Sequence, residues 1–171
     1  MSLDQTPEDR MGVATRTGET FSLVFERRIA KPIDKVWAAI TVPERIADWF
    51  AIVDIDPRLG GHYRIRFSPD DTPIAGEIVE WDPPRRLAHT WPDDDHAPAT
   101  VRYELEPDGE GCVLRFSQTG VPVMWIDSVA GWHLFLDAIP GAVDRVKFNW
   151  TKEVETALMD LYRPRLTAAG F

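Results

Sequence analysis

Six short runs of alternating apolar and polar residues fill the middle of the chain, and turns rich in Pro, Gly and Asp separate them. Alternation with a period of two is typical of strands that bury one face. Because the loops between consecutive runs are short, the runs are predicted to pair as an antiparallel meander. The predicted strands cover residues 51–56, 62–67, 74–81, 86–91, 100–106 and 112–119.

Further elements flank the meander on both sides. Alternation over residues 21–30 predicts one more strand, and helical spacing of apolar residues then predicts two short helices over 32–40 and 44–49. After the meander, helices are predicted over 128–139 and 151–168, with Pro140 and Gly141 interrupting them. For residues 140–150 a kink, a loop and a short separate helix all remain open.

A sheet with one apolar face needs a covering layer. The helix over 128–139 can supply it, because Trp132, Phe135, Leu136 and Ile139 fall on one of its sides. These elements predict an α+β fold in which a curved antiparallel sheet of seven strands wraps around a long C-terminal helix. Residues 20–171 are expected to form one domain, and the polar, aperiodic residues 1–19 a disordered tail.

Charge and composition narrow the functional classes. The chain of 171 residues has 28 acidic and 19 basic side chains and a net charge of −9, which opposes binding to nucleic acid and to anionic membrane surfaces. No apolar stretch reaches the roughly 18 residues of a membrane span, and the N-terminal residues lack a signal-peptide core. With Cys112 as the single cysteine, no internal disulfide can form, so a cytoplasmic location is expected.

Several sequence blocks resemble a known family. Residues 26–50 resemble the first block of the homologues of the heat-shock-protein-90 ATPase activator, which belong to the START-like, helix-grip proteins. Residues 59–61, residues 76–87 and the Gly131-Trp132 pair resemble later blocks in the same order. The resemblance implies a helix-grip fold over about 21–168. Members often carry a His where this chain has Gln118, so a catalytic role at that position does not carry over.

Aromatic side chains dominate the predicted inner face. Together with a few polar residues they predict an apolar cavity between sheet and helix, since ligand pockets are mostly apolar with a few polar anchors. The expected ligand-binding residues are Trp49, Phe50, Tyr63, Phe67, His89, Trp91, Tyr103, Phe116, Gln118, Trp132 and Phe135. Trp125 is expected at the mouth or on the inner face.

Three polar residues besides Gln118 fall on or near the inner face. His89 alternates with Leu87 and Trp91, so it is either a hydrogen-bonded core histidine or a ligand contact. Arg27 lies between Phe25 and Ile29 on the apolar face of the first strand, where it could pair with a carboxylate and have a structural role. Glu80 is expected to face or border the interior.

Catalytic and metal-binding signatures are missing from the sequence. No Gly-x-Ser-x-Gly motif, Cys/His pair or close carboxylate pair stands out, so no catalytic residue is predicted. The four histidines are not spaced as metal ligands, and the run from Asp93 to His96 is interpreted as a solvated turn. Neither a metal nor a cofactor is expected.

Three functions remain as hypotheses. The first is non-covalent binding of a small apolar or aromatic molecule, which the inner aromatics favour. The second, implied by the resemblance, is a co-chaperone-like role on a heat-shock-protein-90 chaperone. The third is a START-like cyclase or hydrolase, for which His89 is the candidate acid or base. Leu158 and Leu161 could contact either the core or a second copy, so a homodimer is an open expectation.

Overall fold

The computed structural model describes residues 5, 6 and 8–171, and it confirms the α+β helix-grip fold. One antiparallel sheet of eight strands has the order β1-β2-β8-β7-β6-β5-β4-β3. The strands are β1 (Val13–Thr17), β2 (Thr20–Ile29), β3 (Ile52–Ile55), β4 (His62–Arg66), β5 (Ile74–Asp82), β6 (Arg86–Trp91), β7 (Ala99–Asp108) and β8 (Gly111–Pro122). The helices are α1 (Ile33–Thr41), α2 (Pro43–Ile46), α3 (Ser128–Val143) and α4 (Lys152–Ala168), with a 3-10 turn over Val123–Trp125.

The sheet has one more strand than the sequence predicts, because β1 lies within the predicted tail. A turn at Gly18, whose φ is +62°, joins β1 to β2 as a hairpin at the sheet edge. The edge position leaves most of β1 exposed, so its sequence carries no apolar alternation. Residues 1–4 and 7 of the predicted tail lie outside the described residues.

Helix α3 passes through Pro140, so the predicted interruption there is wrong. Proline's fixed φ suits a helix, and in the last turn its missing N–H removes only one backbone hydrogen bond. Residues 140–150, for which the sequence left three conformations possible, therefore form the end of α3 and a loop that leads to α4. Thr151 caps α4, where its hydroxyl accepts a hydrogen bond from the Val154 N–H at 3.3 Å.

The core lies between the concave face of the sheet and α3. Val129, Trp132, Leu136 and Ile139 on α3 are buried there against the apolar side chains of the sheet. Each large apolar side chain that becomes fully buried stabilises the fold by about 1.5–3 kcal/mol. Among the described residues, none of the helices has both the length and the apolar character that crossing a membrane requires.

A register shift in β5 reverses the predicted orientation of Glu80. The pairing of β5 with β6 shifts between Ile78 and Glu80, so inward alternation that holds up to Ile78 does not continue to Glu80. The Glu80 carboxylate accepts a hydrogen bond from Arg102 Nε at 2.8 Å on the outer face. The expectation that Glu80 borders the interior is therefore wrong.

Candidate functional site

A cavity of about 420 Å³ lies at one end of the sheet, between the strand ends and the first turns of α3. In an antiparallel sheet, the end of one strand and the start of the next meet at the same edge. Trp91 ends β6, Ala99 begins β7, and Gln118, Val121 and Pro122 lie in the last part of β8. The fold thus brings residues that are distant in sequence to one cavity wall.

Six of the expected ligand-binding residues line this cavity. They lie on β6, β8 and α3 and in the loops after α2 and β4, and most of them are aromatic. They are Phe50, Phe67, Trp91, Gln118, Trp132 and Phe135.

Phe50 stands at the centre of the aromatic wall. Its ring is stacked on Trp132 with centroids 5.2 Å apart, and it meets Phe135 edge to face at 5.1 Å. A second edge-to-face contact joins it to Phe67 at 5.6 Å. Such ring pairs add about 0.5–1.5 kcal/mol each beyond the area that they bury. The wall is therefore held in shape by its own ring contacts.

The mouth of the cavity is formed by aromatic side chains that remain open to solvent. Phe67 is 54% exposed and Trp125 is 53% exposed, although both rings line the cavity. Large aromatic rings at a protein surface leave apolar area in water, which a ligand or partner can cover.

Gln118 supplies a buried polar group of the wall and is only 5% exposed. The indole N–H of Trp132 donates to Gln118 Oε1 at 2.9 Å. Because an indole nitrogen can only donate, this bond fixes the amide orientation and leaves the Gln118 NH2 group as a donor. A carbonyl or hydroxyl oxygen of a ligand is the partner that such a donor needs.

The other five expected residues lie behind the cavity wall. Trp49 is buried and its indole donates to the Ala39 carbonyl at 2.8 Å. The ring of Phe116 supports Trp132 from behind, with centroids 4.4 Å apart, and Tyr103 packs on Phe116 at 5.2 Å. Alternation predicts their inward direction, but the rings of α3 fill the centre of the sheet and confine the cavity to one end.

Tyr63 and His89 also lie behind the cavity wall, where their rings are stacked on each other with centroids 3.8 Å apart. His89 is fully buried, and its Nδ1–H donates to the Thr90 carbonyl at 3.0 Å. Burial lowers the pKa of His89 to about 4, so the ring is neutral at pH 7. His89 does not line the cavity, and this placement gives it no direct contact with a molecule held there.

Several lining residues were not expected from the sequence. Gly131 has no side chain to reveal its position, and Ile74 and Val121 sit at strand ends where alternation is weak. Ser128 contributes a buried Oγ that has no hydrogen-bond partner in the described part of the chain. Asp93 belongs to the acidic run that is interpreted from the sequence as a solvated turn. It differs from the neighbouring aspartates in that its side chain lines the cavity.

The turn that contains Asp93 is held by its own hydrogen bonds. Asp93 Oδ1 accepts the Asp95 N–H at 2.9 Å and lies 3.0 Å from His96 Nδ1. These contacts are local, as in a turn in which an aspartate binds its own backbone. Within residues 5, 6 and 8–171, no three His, Cys, Asp or Glu side chains come together as a metal site.

A buried ion network lies at the other side of α3 and contains Arg27. The Arg27 side chain is 5% exposed, and its Nε donates to Asp137 Oδ1 at 2.8 Å. His133 Nε2 lies 3.3 Å from Asp137 Oδ2, and His133 Nδ1 lies 2.8 Å from the Tyr162 hydroxyl. None of these residues lines the cavity. Because Arg27 lies in β2, His133 and Asp137 in α3, and Tyr162 in α4, the network joins these three elements. The prediction that Arg27 pairs with a carboxylate is confirmed, and the partner, Asp137, is 23% exposed.

Comparisons with known proteins agree with this architecture. The model of the family described as "Activator of Hsp90 ATPase homolog 1-like protein" matches residues 30–144. No curated protein matches the sequence.

Solved structures match over most of the chain. The crystal structure of CalU16 from Micromonospora echinospora has a TM-score of 0.72 at 24% identity, and the match covers 90% of this chain and 95% of that one. EF2215 from Enterococcus faecalis, a conserved protein of unknown function, has a TM-score of 0.77 at 19% identity, covering 94% and 92%. MLL2253 from Mesorhizobium loti has a TM-score of 0.65 at 26% identity, covering 74% and 99%.

Proposed function

The chain belongs to the activator of Hsp90 ATPase homolog 1-like family, and from that premise we propose that it binds one small hydrophobic or aromatic molecule non-covalently in the cavity. The observation that carries the proposal is the aromatic wall around about 420 Å³. This volume lies within the range of small-molecule pockets, which are mostly apolar with a few placed polar groups. Family membership and the helix-grip fold favour ligand binding in the same place.

The lining residues also support binding without chemistry. Among the described residues that line the cavity, Asp93 is the one with an ionisable acid or base group below about pH 8, and its pKa is lowered by hydrogen bonds, so it is already ionised at neutral pH. No lining nucleophile in the described chain stands beside a base. Within residues 5, 6 and 8–171, the Ser128 hydroxyl has no hydrogen-bond partner, and no histidine or lysine lines the cavity with it. General acid–base or nucleophilic catalysis needs such a pair within hydrogen-bond reach.

Gly131 offers a direct test because it lines the cavity from α3. A Cβ added there would lie 3.9 Å from Phe135 Cε2, which is an ordinary contact, so Gly131→Ala is sterically tolerated. The longer side chain of Gly131→Leu extends into the cavity. We expect apolar and aromatic compounds in a thermal-shift panel to stabilise the wild type and Gly131→Ala, and not Gly131→Leu.

Circular dichroism without ligand checks that both variants fold. Gly131→Ala should itself raise the free energy of unfolding by up to about 1 kcal/mol, because alanine is the better helix former. The proposal is wrong if no compound of a broad panel stabilises the wild type, or if Gly131→Leu responds like Gly131→Ala.

A further inference from the structure

The cavity has one charged lining residue among the described residues, and it is acidic. Asp93 lies in the wall, whereas no Lys, Arg or His of the described part of the chain does. From this asymmetry, and resting on the proposed function, we infer that the cavity selects ligands that carry an organic ammonium group on an apolar body. The ammonium group is expected at the mouth, beside Asp93 and the aromatic rings there.

The Asp93 carboxylate is ionised and has an oxygen to offer. The Asp95 N–H and His96 Nδ1 both contact Oδ1, and the Trp125 side chain also hydrogen-bonds the carboxylate. Since a carboxylate has about four lone-pair sites, acceptor capacity remains for a ligand. The bond from His96, followed by the bond from Asp95, holds the pKa of Asp93 below its ordinary value, and the Trp125 side chain adds to this effect. A positive group at the mouth would therefore meet a negative charge.

Aromatic faces next to Asp93 favour the same ligand charge. Trp91 precedes Asp93 by two residues, and its ring centroid lies 6.4 Å from that of Phe67. Trp125 completes this part of the wall. The negative face of an aromatic ring attracts a cation within about 6 Å, and tryptophan does so most strongly. A carboxylate ligand would meet both the ring faces and Asp93 unfavourably.

The inner wall fits the other end of such a ligand. Beyond the mouth, the lining is apolar, with Ile74, Trp132 and Phe135, and the Gln118 NH2 group is its inner polar donor. Burial of an apolar body there gains about 25 cal/mol for each Å² removed from water. The cavity is therefore polarised along its length, from a negative aromatic mouth to an apolar interior that has one amide donor.

Three probes with one apolar body separate charge from shape. They are a naphthylmethyl group that carries trimethylammonium, hydroxyl or, as naphthylacetate, a carboxylate. By isothermal titration calorimetry at pH 7.5, we expect the ammonium probe to bind the wild type roughly tenfold more tightly than the alcohol. The carboxylate probe should bind more weakly than the alcohol.

The matched variants are Asp93→Asn and Asp94→Asn. Asparagine keeps the Oδ1 acceptor of the turn and removes the charge, so Asp93→Asn should bring the ammonium-to-alcohol affinity ratio close to one. Asp94 is exposed and does not line the cavity, so its variant should keep the wild-type ratio.

The outcomes distinguish the two proposals. Equal affinities of the ammonium and alcohol probes for the wild type, an unchanged ratio in Asp93→Asn, or tightest binding of the carboxylate would overturn the inferred charge preference while leaving ligand binding intact. Failure of all three probes to bind would overturn the proposed function together with the preference that rests on it.

Discussion

The indole N–H of Trp132 donates a hydrogen bond of 2.9 Å to Gln118 Oε1, and both side chains line the cavity. This bond joins α3 to the end of β8 at the point where the sheet and helix separate to leave the cavity. Because both groups are buried, each depends on the other for its hydrogen bond. The bond therefore fixes the inner polar group of the site and also supports the fold.

Removal of one partner from this bond should be costly. Trp132→Phe leaves Gln118 Oε1 buried without its donor, so we expect the free energy of unfolding to fall by about 1–3 kcal/mol in urea titrations. The double variant Trp132→Phe with Gln118→Leu should lose less than the sum of the two single variants, because it leaves no unpaired polar atom.

Trp150→Phe is the matched control for this substitution. Trp150 donates to Glu155 Oε2 at 2.8 Å, but the pair is exposed and water can replace it. Its variant should change the free energy of unfolding by less than about 0.5 kcal/mol. Equal losses for Trp132→Phe and Trp150→Phe would contradict a structural role for the buried bond.

Among the ion pairs, the one between the buried Arg27 and the partly buried Asp137 should contribute most to the free energy of unfolding. Asp137→Ala leaves the buried Arg27 guanidinium without its carboxylate, and such losses cost about 3–5 kcal/mol. Arg163→Ala, which removes the exposed pair with Asp160, should cost at most about 1 kcal/mol. Urea unfolding of the two variants measures the difference, and similar small losses for both would refute the assignment.

Because of His89, the free energy of unfolding should decrease as the pH is lowered through a defined range. The folded pKa of about 4 lies below the ordinary 6.5, so the unfolded state binds a proton first as the pH falls. The contribution is fully present above pH 6.5 and is lost towards pH 4, with a total of about 3 kcal/mol. In unfolding titrations between pH 7.5 and 4.5, His89→Phe should flatten this dependence, and an unchanged slope would count against it.

Cys112 should resist thiol reagents in the folded protein. Its side chain is buried in β8, and burial, with a smaller contribution from Asp108, raises the pKa of the thiol to about 11. The reactive thiolate is therefore scarce as well as shielded. Labelling with an aromatic disulfide reagent is expected only after unfolding in guanidinium, and rapid labelling of the native protein would show that β8 opens there.

Much of the fold could be predicted from the sequence because most strands bury one face. Inward residues such as Leu87, Val101 and Phe116 alternate along β6, β7 and β8, and the structure buries all three. The strand β1 could not be predicted in this way, because it lies at the edge of the sheet and does not bury one face. Alternation also failed at Glu80, since a bulge leaves no mark in a pattern of period two.

The site was less predictable because alternation gives the direction of a side chain and not its depth. Trp91 and His89 face the same side of β6, yet Trp91 lines the cavity and His89 lies behind it. No sequence pattern indicates that Asp93 and Gly131 line the cavity, because their place there depends on how the whole chain folds. A role on a chaperone and a homodimer stay predictions, and Leu161 is exposed, as a contact with a second copy would require.

The seven tryptophans provide the most direct test of ligand binding in the cavity. The measurement is the ¹H–¹⁵N spectrum of the indole N–H groups during titration with the compound that most stabilises the protein. We predict that the signals of Trp91, Trp125 and Trp132 shift, whereas those of Trp37, Trp81 and Trp150, which do not line the cavity, stay in place. Shifts confined to Trp37, Trp81 or Trp150 would contradict the account, because the ligand would then bind outside the cavity.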